Sequence, residues 1–258
     1  MPPAPSSRPL HAAGAVLSTE RPPFRDTAPT RTARQTSRAA PRRPPVERAG
    51  WEPHHHEGGR VGDSPLRICV IGDELTAGMG DARGLGWVGR VIARTPTEEP
   101  AFVAQLAVPH ENTTELSARW ETETQRRFTP MADNRLVLGL GATDLEEGLS
   151  LARSRLNLAN ILDGASSNRI ACFVVGPPPR TDLDADALAA LSDAFADVCH
   201  RRHIHYVETF APLRAHEQWH ADVAASDGVH PGQAGYGLLA WLVLHNGWHS
   251  WLGLPEAG

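Results

Sequence analysis

From residue 66 onward the chain alternates between short apolar runs and longer stretches where apolar residues recur every three or four positions. The runs are Arg67–Ile71, Ala101–Ala107, Arg135–Leu140, Arg169–Val175 and His205–Glu208. They are short, largely aliphatic and bounded by Gly, Pro or polar residues, which reads as buried strands. Between them the helical period predicts a helix over Gly84–Arg94, with Leu85, Val88, Val91 and Ile92 on one face. Further helices are expected over Thr113–Phe128 (N-capped by Thr113), Glu147–Leu162, the Ala/Leu-rich Asp184–His203, and Gly232–Asn246. Five apolar strands alternating with helices imply a parallel sheet covered on both faces. Right-handed crossovers then make it a three-layer α/β/α sandwich.

The first 64 residues break this pattern. They hold eleven of the twenty-two prolines and almost no periodic apolar positions. Proline fixes φ and removes a donor, so residues 1–64 are expected to be a disordered Pro/Arg-rich segment ahead of a folded domain over 65–254. Ala12–Leu17 is too short and weak for the core of a secretory signal. The segment's Arg-rich, Ser/Thr-containing character faintly resembles an organellar transit peptide; the plainer reading is a flexible tail. His54-His55-His56-Glu57 has metal-binding residue types, but in a linker such a run is more often incidental.

Charge and cysteine usage narrow the class. The net charge of −5 hides an asymmetry. Residues 1–64 carry ten Arg against six acids, and the remainder fifteen Arg against twenty-four. The whole chain therefore gives no nucleic-acid or membrane-surface signal. No run of eighteen apolar residues predicts a membrane span. A cytoplasmic protein is expected. Cys69, Cys172 and Cys199 are an odd number of thiols in apolar settings, which argues for buried reduced thiols and against a disulfide framework.

The candidate chemistry gathers where strands hand over to helices. Ile71-Gly72-Asp73-Glu74-Leu75 follows the first strand, and open α/β folds bind ligands at that sheet edge. Asp227-Gly228-Val229-His230-Pro231 precedes the last helix. Its spacing lets the Asp carboxylate reach His Nδ1 and leaves Nε2 free to act as a base. Gly139-Leu140-Gly141-Ala142-Thr143-Asp144 follows the third strand, and Leu106–Thr114 the second. A literal Gly62-Asp63-Ser64 also occurs, but it precedes the strand and is followed by Pro65, so Ser64 is set aside as the nucleophile.

Those four segments, in this order over about residues 67–245, resemble the motifs of the SGNH (GDSL) hydrolase superfamily. The resemblance implies a flavodoxin-like strand order, 2-1-3-4-5, and an esterase or acylhydrolase acting on a small ester or acylated substrate. It implies catalytic roles at Glu74, Asp227 and His230, and oxyanion or substrate contacts at His110, Thr143 and Asp73. It calls for no cofactor and no metal. Its partner is a small-molecule substrate or ligand, with no nucleic acid. Three positions depart from the pattern: Glu74 stands where the family has its serine, His110 where it has the oxyanion glycine, and Thr143 where it has Asn. Loss of the serine removes the acyl-enzyme route. Three readings of Glu74 remain open. It is a carboxylate nucleophile, or it shares a water with His230 as general base, or the site binds a ligand without turnover.

Lesser candidates have plainer alternatives. Asp73, Asp81, Asp144 and Glu146 lie near the same edge as Glu74, where a divalent cation is conceivable, yet acids after strands usually cap helices. His110 is either a side-chain donor or an exposed loop histidine. Trp87 and Trp241 are expected in the core, and Trp248 and Trp251 over the last helix. Gly78-Met79-Gly80 lacks the Lys and spacing of a phosphate loop. Asp182–Asp186 and Leu213–Ala225 are expected to shape the pocket.

Overall fold

The computed structural model describes residues 65–255. Strands β1 (Leu66–Gly72), β2 (Phe102–Ala107), β3 (Asp133–Gly139), β4 (Ala171–Val175) and β5 (His205–Val207) form one sheet in the order β2-β1-β3-β4-β5. Every pairing is parallel, as the alternation of apolar strands and helices predicts. Gly72 pairs with Ala107 on one side and Gly139 on the other, and Gly139 pairs with Val175. Val175 in turn pairs with Val207, so all five strands end level and their carboxyl ends make one shelf.

The period of two along each strand divides the core into two layers. Ile68, Val70, Val137, Phe173 and Val175 face one side, where they join Trp87 and Val91 of α2 (Gly86–Ile92) and Tyr236, Leu239 and Val243 of α9 (Gln233–Val243). Cys69, Ile71, Leu136, Leu138 and Val174 face the other. That side is covered by α3 (Thr113–Gln125), α5 (Leu151–Ser167) and α6 (Ala185–His200). The three cysteines are buried and free. Burial pushes the Cys69 thiol up to about 11 and the Cys172 and Cys199 thiols up to about 12.

Several boundaries differ from the periodicity, each for a local reason. The N-cap of α3 is Asn112, not Thr113. Its side chain accepts the N–H groups of Thr114 and Glu115, and Glu115 closes a capping box. The predicted helix from Glu147 begins instead at Leu151 and runs on to Ser167. Gly148 has a left-handed φ of 69°, and Ser150 caps the new start. A separate single turn, α4 (Thr143–Glu146), precedes it. Arg169 has a φ of 58°, so β4 starts two residues later than its apolar run suggests. Asp184 caps α6 rather than lying inside it.

Nor were α7 (Phe210–Arg214), which contains Pro212, and α8 (Glu217–Ala225), whose buried face is only Trp219 and Val223, anticipated. After α9 the chain makes a wide turn over Leu244–Trp248, kinked at Asn246 and Gly247, and ends in α10 (His249–Leu252). Trp241 lies outside the core, 56% exposed and stacked on His245 at 4.3 Å. Trp248 and Trp251 pack against Phe173 of the sheet, at 5.4 and 5.1 Å between centroids, rather than covering only the last helix. The tail, the His54–Glu57 run and Ser64 lie outside the described residues.

Candidate active site

The shelf at the strand ends collects four turns. The first is the hand-over from β1 to α1 (Glu74–Ala77). Asp73 caps α1: its Oδ1 accepts the Leu75 N–H at 3.0 Å. Glu74 occupies the first helical position, so its N–H has no intrahelical acceptor. After one turn Gly78, at φ 78°, ends the helix against Gly86. A Cβ at Gly78 would come within 2.7 Å of the Gly86 backbone, so only glycine fits this crossing.

The Glu74 side chain is buried, and its two oxygens face different partners. Oε2 accepts the backbone N–H of His110 at 2.7 Å. Oε1 lies 4.0 Å from His230 Nε2. His110 sits in the turn after β2 with a φ of 57°, a left-handed conformation that a non-glycine residue adopts at a cost of roughly 1–2 kcal/mol. Its side chain is exposed, and only its backbone reaches the site.

His230 is held by its own turn. Asp227 Oδ1 accepts the N–H groups of Val229 (3.0 Å) and His230 (2.7 Å). Asp227 Oδ2 lies 2.6 Å from His230 Nδ1. The backbone N–H of His230, and then its ring, hold the Asp227 carboxyl well below the usual carboxylate range. With Nδ1 donating to Asp227, Nε2 presents a lone pair. That atom is buried and has no hydrogen-bond partner among the described residues.

Thr143 opens α4 with its hydroxyl buried and without a partner among the described residues. Asp144 beside it accepts both the N–H and the hydroxyl of Thr113, each at 2.7 Å. Asn157 of α5 donates to Thr113 Oγ1 at 3.0 Å. This buried network ties the turn after β3 to the start of α3. Asp73 is 3% exposed. Burial, and next the charge of Glu74, push its carboxyl up to about 8.

Sequence reasoning therefore named the residues that converge: Glu74, the His110 backbone, Asp227 and His230. The side-chain role considered for His110 is not what the geometry gives. Reasoning missed the support behind them. A Cβ at Gly80, which has φ 88°, would lie 2.9 Å from His230 Cβ and 2.6 Å from Pro231 O, so the α1–α2 loop packs directly behind the histidine. Tyr236 of α9 anchors that loop by donating to Met79 O at 2.6 Å. The buried Arg90–Asp81 pair anchors it again at 2.5 Å. The Gly78-Met79-Gly80 spacing was the available signal, but it points to close backbone approach and not to phosphate.

Three of the carboxylates considered for a cation are engaged elsewhere, Asp81 with Arg90, Asp144 with Thr113, and Glu146 with Arg180 at 2.6 Å, while Asp73 spends one oxygen on the Leu75 N–H. Asp182, in a loop expected to shape the pocket, also pairs with Arg180, at 2.6 Å. Among the described residues no group of three His, Cys, Asp or Glu side chains is placed to hold a metal ion.

A five-stranded parallel α/β/α sandwich whose Asp–His pair faces the first strand-to-helix turn has the architecture of the SGNH hydrolases. The model of the GDSL-like lipase/acylhydrolase family matches residues 70–238, and the chain belongs to that family. Solved structures agree in fold. A lipase/acylhydrolase from Enterococcus faecalis superposes with a TM-score of 0.60 at 20% identity, covering 75% of this chain and 99% of that one. The psychrotrophic esterase EstA from Pseudoalteromonas sp. gives 0.57 at 16%, covering 72% and 98%. The acetylxylan esterase Axe2 from Geobacillus stearothermophilus gives 0.58 at 18%, covering 75% and 98%. No curated protein sequence matches the chain. Among the described residues no helix is long and apolar enough to cross a membrane.

Proposed function

We propose that this protein hydrolyses a small ester or acylated substrate with water, not a serine, as the nucleophile, and that Glu74 and His230 hold that water between them. The reading assigns Glu74 to the position where the family has its serine. The observation that carries it is the pair of atoms Glu74 Oε1 and His230 Nε2, 4.0 Å apart and not bonded to each other. Two atoms at that separation both reach one water lying to the side at about 2.8 Å from each. The water donates one hydrogen to Oε1 and the other to the Nε2 lone pair.

The step then balances without a cofactor. Water oxygen adds to the acyl carbonyl carbon, and its proton passes to His230 Nε2. Asp227 stabilises the imidazolium and fixes its tautomer. The Glu74 N–H and the Thr143 hydroxyl are the donors left for the oxyanion, because Glu74 Oε2 takes the His110 N–H. Collapse of the tetrahedral adduct expels the alkoxide, which recovers the proton from His230. One donor fewer costs about 10²–10³ in rate, so turnover is slow for the family. Glu74 does not attack the acyl carbon itself. Its Oε2 is tied down, and attack would leave an anhydride. We assign this chemistry to the domain spanning 65–254.

The test is hydrolysis of p-nitrophenyl acetate. Wild type turns over, and Glu74→Gln and His230→Ala each lower kcat by about 10²–10⁴. Equal rates in all three proteins contradict the reading. A second reading has one observation in its favour: the chain's own carboxylate sits on the His110 N–H, where a substrate oxyanion would bind. On that reading the protein binds a ligand without turnover. Wild type is then silent, and Glu74→Ser gains esterase activity.

A further inference from the structure

Beneath the Glu74 turn lies a small space of about 10 Å³, lined by Asp73, Glu111, Thr143, Asp144 and the glycines that end β1 and β3. That is room for about one water. The polar groups around it divide into two kinds. Asp144 spends both oxygens on Thr113, and Glu111 spends both on Arg119. Asp73 Oδ2 and Thr143 Oγ1 are buried with no partner among the described residues. Leaving two such groups unmatched is costly, and buried polar atoms in folded proteins are satisfied by protein or by ordered water.

We propose that Asp73 Oδ2 and Thr143 Oγ1 bind one buried water in this cavity, as a fixed part of the site. The glycine walls make the space. A Cβ at Gly141 would fall 1.7 Å from Asp73 Oδ2, and one at Gly72 would fall 2.2 Å from Gly139 O. A side chain at position 141 cannot fit without evicting Asp73.

The charges around Asp73 decide which way the hydrogens point. Glu74 is adjacent, Glu111 faces it from the β2–α3 turn, and Asp144 from α4. Arg119 is committed to Glu111. With its carboxyl pushed up to about 8, Asp73 carries its proton at neutral pH. Oδ1 accepts from Leu75, so the proton sits on Oδ2 and is donated to the water. The water donates in turn to Thr143 Oγ1, which leaves the Thr143 hydroxyl hydrogen free to point elsewhere. Asp73 is thus a positioning residue acting through the water on Thr143. The water site itself does not depend on the hydrolytic reading.

A high-resolution crystal structure of the full chain near pH 6 tests this. The expected result is a single water within hydrogen-bond distance of both Asp73 Oδ2 and Thr143 Oγ1. A dry cavity, or a direct Asp73–Thr143 bond, overturns the proposal. Two variants fix the direction of donation. Asp73→Asn keeps an acceptor for Leu75 and a donor for the water, so the water stays, and the infrared carbonyl band of a protonated carboxyl seen in wild type is missing from the variant. Thr143→Val loses the water. Loss of the water in Asp73→Asn, or its persistence in Thr143→Val, contradicts the arrangement. Activity plays no part in these readouts, so failure here and failure of the hydrolase reading are separable.

Discussion

Two aspartates flank the Glu74–His230 pair, and they are held in opposite ways. The Asp227 side chain is 54% exposed, yet three N–H groups converge on it and keep it ionised. Asp73 is almost fully buried, with one backbone donor and one orphan oxygen, and it keeps its proton. The hydrogen bonds each carboxyl receives, set against its burial, decide its form. An ionised, well-bonded aspartate orients a base. A neutral, buried one serves as a donor.

The strongest way to break this contrast is to remove the charge from the ionised partner. Asp227→Asn leaves the shape but no longer dictates the His230 tautomer, and kcat toward p-nitrophenyl acetate should fall by about 10³–10⁴. The same change at Asp73 should leave kcat within about tenfold, since an amide preserves the donor. Equal losses at both sites would remove the distinction.

Stability against pH sharpens it next. The folded-state pKa of Asp73 lies above the unfolded one, so the folded chain binds the extra proton. Its contribution is full below about pH 4 and is lost as pH rises toward 8, at no more than about 1.4 kcal/mol per pH unit. Denaturant titrations between pH 4 and 8 should show that decline, and Asp73→Asn should flatten it. Asp227 has the reverse sign. Its contribution is present at neutral pH and is lost as pH falls through the acid range, and its exposure keeps it small.

The smallest expected effect is at His110. Its exposed side chain does nothing for the site, while its φ of 57° is strained. His110→Gly should stabilise the fold by about 1 kcal/mol in urea unfolding and preserve the N–H to Glu74. Destabilisation would show that the ring contributes packing that the backbone account omits.

The sheet was legible because its signals are collective. Five apolar runs of the right length leave few alternatives, and their order followed from the motif resemblance. The dyad was legible because Asp227 and His230 are neighbours in one turn, where three-residue spacing fixes geometry. The support behind them was not. Gly80 beneath His230, Tyr236 on Met79, and Asp144 on Thr113 join residues 31 to 157 positions apart, and no local pattern pairs them. Helix ends failed where one residue's conformation decided them, as at Gly148 and Arg169. Trp241 failed because helical periodicity places a large apolar residue on a face without saying whether anything covers it.

Whether water attacks the acyl carbon is decided most directly by isotope. Wild-type protein is turned over on p-nitrophenyl acetate in oxygen-18 water, and the released acid and the peptide carrying Glu74 are weighed by mass spectrometry. The account predicts label in the acid and none in the Glu74 carboxyl. Label in Glu74, or a Glu74 peptide carrying the acyl group, would make the carboxylate the nucleophile, and p-nitrophenol release no faster than without protein would make the site a binding site; either result contradicts the account.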